Sequence, residues 1–88
     1  MRVASRVEYD GTHYWGWQLQ PDALMTVQGQ IEAALSKLYH VRIPVMASGR
    51  TDAGVHALNQ CIHFDIPDAR IKIESLPKAL NSMLPKDI

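Results

Sequence analysis

Between residues 26 and 40 the apolar side chains recur with a helical period, and on either side of that stretch they alternate in twos. The contrast confines the chain to a mixed helix-and-sheet fold. Val27, Ile31, Ala34, Leu35 and Leu38 fall at offsets of four, seven, eight and eleven, which is one face of an amphipathic helix. Thr26 is a good N-cap, and Pro21 stops short of it. Gly29 in the first turn costs about 1 kcal/mol relative to Ala, which points to a loop packed closely against that turn. Ahead of the helix, Val3, Ser5, Val7 and Tyr9 alternate with Arg2, Ala4, Arg6 and Glu8, as in a strand with one buried and one polar face. Val41 to Ser48 reads as a second strand. Leu58 to Ile66 reads as a third, with Gln60, Ile62, Phe64 and Ile66 on one side and Cys61, His63 and Asp65 on the other. Pro67 and Asp68 end it. Ser75 then caps a last helix, with Pro77 in its first turn and Leu76, Leu80, Met83 and Leu84 toward the core.

The resulting order, β-α-β-β-α, is most of a ferredoxin-like split βαβ unit, an α+β fold with helices on one face of an antiparallel sheet. Only the fourth strand is wanting. Residues 84–88 leave a helix and begin something unfinished, so the expectation is an N-terminal domain, residues 1–88, truncated from a longer protein. Eighty-eight residues give a single core, expected around Val27, Ile31, Leu35, Leu38, Phe64, Leu76 and Leu80. With 47% hydrophobic and 20% charged residues the chain belongs with folded rather than disordered proteins. No apolar run approaches the roughly 20 residues of a membrane helix, and no membrane partner is expected. Cys61, the single cysteine, excludes an internal disulfide, suits a reducing cytoplasm and reads as a small buried hydrophobe.

Residues 10–25 form a long loop holding Tyr14, Trp15 and Trp17. Such rings can stack on unpaired bases or fold back to anchor the loop. Anchoring is the expectation for Trp17, while Tyr14 stays open between the two. Asp10 beside Gly11 is a turn residue. Arg2 and Arg6 share the polar face of the first strand, where they either touch phosphate or are simply solvated.

Residues 47–57 read Ala-Ser-Gly-Arg-Thr-Asp-Ala-Gly-Val-His-Ala. A single carboxylate, Asp52, stands two residues after Arg50 and between Gly49 and Gly54. Arg50 can hold a carboxylate or a phosphate in a fixed two-pronged geometry. The arrangement suits an accessible attacking group, but the residues taken alone favour a turn in which Asp52 caps the next segment.

The stretch Gly49-Arg50-Thr51-Asp52-Ala53-Gly54-Val55-His56-Ala57 resembles the signature of the tRNA pseudouridine synthases of the TruA family. Two further stretches resemble the family in the same order. They are Glu8-Tyr9-Asp10-Gly11-Thr12 through Gly16-Trp17-Gln18, and Thr26-Val27-Gln28-Gly29 opening a helix with Glu32, Ala34 and Leu35. The resemblance implies isomerisation of uridine to pseudouridine in tRNA, with the anticodon stem-loop as the expected region. In that reaction the uracil leaves through N1, turns, and rejoins the ribose through C5. No redox change or energy input is involved, so no cofactor is expected. Asp52 would be the catalytic carboxylate, attacking ribose or base or removing a ribose proton. Arg50 would hold Asp52 and fill the space the flipped base vacates. Thr51 and His56 would contact the substrate, His56 having a structural hydrogen-bonding role as its alternative. The resemblance further implies a stacking tyrosine elsewhere in a longer protein, tRNA as partner, a homodimer and a cytoplasmic setting.

Nine basic and nine acidic residues cancel, whereas RNA-binding domains commonly carry a basic excess. Either the basic surface is local or it lies in further sequence. The alternative function is a non-catalytic RNA-binding module, but the aromatic motif of RRM domains is missing, and His63-Phe64-Asp65 offers one ring expected to be buried. Cys61, His63 and His56 are too few and too scattered for zinc, which takes three or four ligands, and no metal is expected.

Overall fold

The computed structural model describes residues 2–14, 16–17, 26–49, 57–68 and 71–88. Strand β1 (Arg2–Tyr9) pairs antiparallel with β3 (Ala57–Asp65), which pairs antiparallel with the short β2 (Met46–Ala47), giving the order β1-β3-β2. Helix α1 (Val27–Tyr39) connects β1 to β2, and α2 (Leu76–Met83) follows β3. The α+β, β-α-β-β-α reading holds. Period two fixes the faces. Val3 pairs with Phe64 and Ser5 with Ile62 on the inner side, while Arg2–Asp65, Ala4–His63 and Arg6–Cys61 pair on the open side. Val3, Tyr9, Ile62 and Phe64 are buried with Ile31 and Leu35 of α1 and Leu76 of α2, so the helices share the inner face.

The first turn of α1 is bonded to its cap and to the loop before it. Gly29 N donates to Thr26 Oγ1 (3.1 Å) and Gln30 N to Thr26 O (3.2 Å). Val27 N and Gln28 N donate to the carbonyls of Gly16 and Trp17 at 3.2 and 3.0 Å. Two of the orphan donors of the helix start thereby tie the aromatic loop to the helix. Gly16 has φ 85°, a left-handed conformation that favours glycine, and this turns the loop onto the helix. At the other end His40, also left-handed at φ 60°, closes α1 through His40 N to Ser36 O (2.8 Å).

Four expectations need correction. The second strand is two residues long, not eight. Ile43 and Val45 are buried, but the Val45 N–H and C=O are taken by the side chains of Glu32 and Gln28 rather than by a neighbouring strand. Cys61 is exposed, because the same alternation that buries Ile62 turns it to the open face. Met83 is 37% exposed although it follows the apolar spacing of α2. Ser75 flanks α2 without a side-chain capping bond, since a 3-10 turn at Ile73–Ser75 already leads into the helix. The core also reaches beyond the expected set, taking in Tyr9, Tyr14, Trp17, Tyr39, Ile43 and Val45, while Leu38 and Leu80 pack only partly buried against it.

Candidate functional site

Asp52, Arg50, Thr51 and His56 lie in residues 50–56, outside the described residues. What is described is the frame at each end of that segment. On the incoming side, β2 pairs Met46 with His63 and Ala47 with Ile62, and Ser48 N extends the ladder to Cys61 O (2.9 Å). The Gln60 amide then holds the last two residues. Its Nε2 donates to Gly49 O (2.9 Å), and its Oε1 accepts from Ser48 Oγ (3.3 Å). A Cβ at Gly49 would stand 3.9 Å from Gln60 Oε1, an ordinary contact. On the outgoing side, Ala57 opens β3 opposite Tyr9, with a register irregularity between Val7 and Tyr9. Both ends of residues 50–56 therefore sit on one rim of the sheet, where β1 and β2 finish and β3 begins.

The turn after β1 occupies the same rim. The Asp10 side chain accepts from Thr12 N (3.0 Å) and shapes the 3-10 turn Gly11–His13, the turn role expected of it. Asp10 N donates to Asp87 O (2.8 Å), and Tyr14 Oη donates to Asp87 Oδ1 (2.6 Å). Tyr14 and Trp17 are each 3% exposed, with the Trp17 ring 6.3 Å from that of Tyr9. Tyr14 is thus an anchor, like Trp17, and neither ring presents a face for base stacking. Trp15 lies outside the described residues.

Burial, followed by the Asp87 hydrogen bond and charge, pushes the Tyr14 hydroxyl above its ordinary value of 10.0. A folded-state value above the unfolded one stabilises fully below that ordinary value and loses its contribution as pH rises through and beyond it. The stability gap between wild type and Tyr14→Phe should therefore be constant near neutrality and shrink above about pH 10. Urea melts across that range check it, and a gap that stays flat or widens would contradict it.

The open face of the sheet carries Arg2, Arg6, Glu8, Cys61, His63 and Asp65. Arg2 Nε lies 3.3 Å from Asp65 Oδ1, and this hydrogen bond holds the exposed Asp65 carboxyl below its ordinary range. Arg6 stands exposed opposite Cys61. His13 and His40 lie in separate turns, and among the described residues no group of three or more His, Cys, Asp or Glu could hold a metal ion. Nor, among them, is any helix long and apolar enough to cross a membrane.

Sequence reasoning missed the Gln60 clamp and the Asp87 link. Gln60 carried a signal, being the one polar residue in the apolar phase of the third strand. Asp87 carried none, since its partners are 73 and 77 residues away.

Residues 6–88 match the family model described as tRNA pseudouridine synthase. The chain is 53% identical to tRNA pseudouridine synthase A of Bacillus pumilus over 90 aligned positions, covering all of this chain and 36% of that protein. It is 51% identical to tRNA pseudouridine synthase A of Thermotoga neapolitana, covering 99% of this chain and 35% of that protein. The same-named protein of Chlorobium luteolum is 47% identical, with 98% and 34% covered. The chain spans about a third of the length of these curated relatives.

Proposed function

The chain belongs to the tRNA pseudouridine synthase family, and from that membership we propose that it supplies the catalytic carboxylate segment of an enzyme converting uridine to pseudouridine in tRNA. The observation that carries the proposal is the family match over residues 6–88, with the Asp52 segment inside that span. The frame supports it. A sheet rim, held from one side by Gln60 and from the other by the Tyr9–Ala57 pairing, is a rigid base for a loop whose residues must meet a reacting nucleotide.

In this reading Asp52 is the nucleophile or base, and Arg50 orients it while contacting RNA. Thr51 and His56 contact the substrate. The target nucleotide leaves its stack to reach Asp52, because its glycosidic bond is hidden in folded RNA. The chemistry is an isomerisation, with no electrons gained or lost, and it draws on no cofactor. The single thiol suits a cytoplasmic enzyme. The rest of the cleft and its stacking tyrosine come from sequence beyond these residues, which act as one domain of the longer protein. That protein works as a homodimer. A groove of about 470 Å³ between β1 and α2, lined by Val7, Tyr9, Leu80 and Leu84 among others, runs beside a β1 edge that no described strand pairs. It gives such further sequence a place to extend the sheet.

The test is nucleoside analysis of an unmodified tRNA transcript after incubation with the full-length synthase carrying this segment, with and without chelator. Pseudouridine should form equally in both. Arg50→Lys keeps the charge and loses the planar fork, so kcat should fall about 10²-fold, as for a misplaced catalytic group, with tRNA affinity little changed. Unaltered turnover would show that the fork is irrelevant, and loss of affinity alone would reduce Arg50 to a phosphate contact.

A further inference from the structure

Glu32 is 8% exposed, a carboxylate in the inner layer of a small domain. Burying such a group is costly unless its oxygens are hydrogen-bonded. Here Oε2 accepts from Val45 N (3.0 Å) and from Gln28 Nε2 (2.8 Å). Gln28 Nε2 also reaches Val45 O (3.3 Å). Two side chains one turn apart on α1 thus grip both the N–H and the C=O of a single residue, in the way a neighbouring strand would. Val45 is the last residue before β2, and three residues after it Ser48 enters the Gln60 clamp at the edge of the Asp52 segment. A leucine at position 32 would fill the space without the desolvation cost. The carboxylate instead fixes a backbone position.

Resting on the catalytic reading above, we propose that Glu32 and Gln28 are positioning residues for the Asp52 segment. They set the height and register at which β2 delivers the chain to Gly49. The same first turn of α1 holds Gly16 and Trp17 through Val27 N and Gln28 N. One helix end therefore fixes the aromatic loop and the catalytic approach relative to each other.

The experiment compares Glu32→Gln, Glu32→Leu, Gln28→Ala and Asp52→Ala in the full-length synthase, reading kcat and KM for tRNA along with exchange of the Val45 amide proton. Glu32→Gln keeps an oxygen acceptor and should turn over near the wild-type rate. Glu32→Leu should lower kcat roughly tenfold or more at nearly unchanged KM, with faster Val45 exchange. If Glu32→Leu fails to fold, Gln28→Ala, which leaves the carboxylate bond to Val45 N, carries the test with the same split at smaller amplitude. Wild-type kcat in the disrupting variant that folds would overturn the positioning role, as would equal losses in Glu32→Gln and Glu32→Leu. An active Asp52→Ala would overturn the catalytic reading on which it rests. An inactive Asp52→Ala beside an unaffected Glu32→Leu would overturn the positioning role alone.

Discussion

Leu35→Ala should cost about 2–5 kcal/mol, the range for truncating a fully enclosed leucine. Leu35 is 0% exposed and belongs to the buried cluster that α1 shares with the inner face of the sheet. A domain of this size has little stability in reserve. At about 3 kcal/mol, Tm should drop by roughly 12–24 °C, and milder conditions than for wild type should unfold the variant. Met83→Ala is the matched comparison, because it removes an apolar side chain of similar size from the same layer. Met83 is 37% exposed, so its truncation should shift Tm by only a few degrees. Thermal melts of both variants decide it. Equal shifts would mean that the core does not lie where these burial values place it.

The elements legible in the sequence were those whose bonds are local. β1 runs from Arg2 to Tyr9 as its alternation implies, and α1 from Val27 to Tyr39 behind its Thr26 cap. Both follow from side-chain period and a capping residue alone. The second strand was overread because Val41, Ile43 and Val45 alternate like a strand. What holds the Val45 backbone is a pair of side chains 13 and 17 residues earlier, and no local period encodes that. Glu32 and Gln28 did stand four apart, the spacing at which helical side chains meet, but their shared target was not readable. Tyr14 was ambiguous for the same reason, its partner Asp87 lying at the far end of the chain. Cys61 shows the opposite failure. The alternation placed it correctly with His63 and Asp65, and its residue type argued for burial against that placement. At the candidate site, the sheet register framed the two ends of residues 50–56, while the Gln60 clamp emerged only from the fold.

Asp52→Ala should abolish turnover, by about 10³-fold or more, in the full-length synthase carrying this segment. The proposed reaction breaks and remakes a bond to ribose, and if Asp52 is its nucleophile or base, positioning or binding alone cannot replace it. Affinity for tRNA rests mainly on phosphate contacts, and removing one carboxylate leaves these in place. Melting behaviour should also survive, because the strands bordering the segment are secured by Ser48, Gln60 and the Tyr9–Ala57 pairing. If Asp52 were instead a turn residue, the variant would lose stability and keep its chemistry. Tritium release from tRNA labelled at uridine C5 separates the two, since that proton departs only when C5 becomes bonded to ribose. The wild-type enzyme should release tritium over many turnovers, and Asp52→Ala, folded and binding tRNA, should release none above background. Wild-type release by Asp52→Ala would contradict the account.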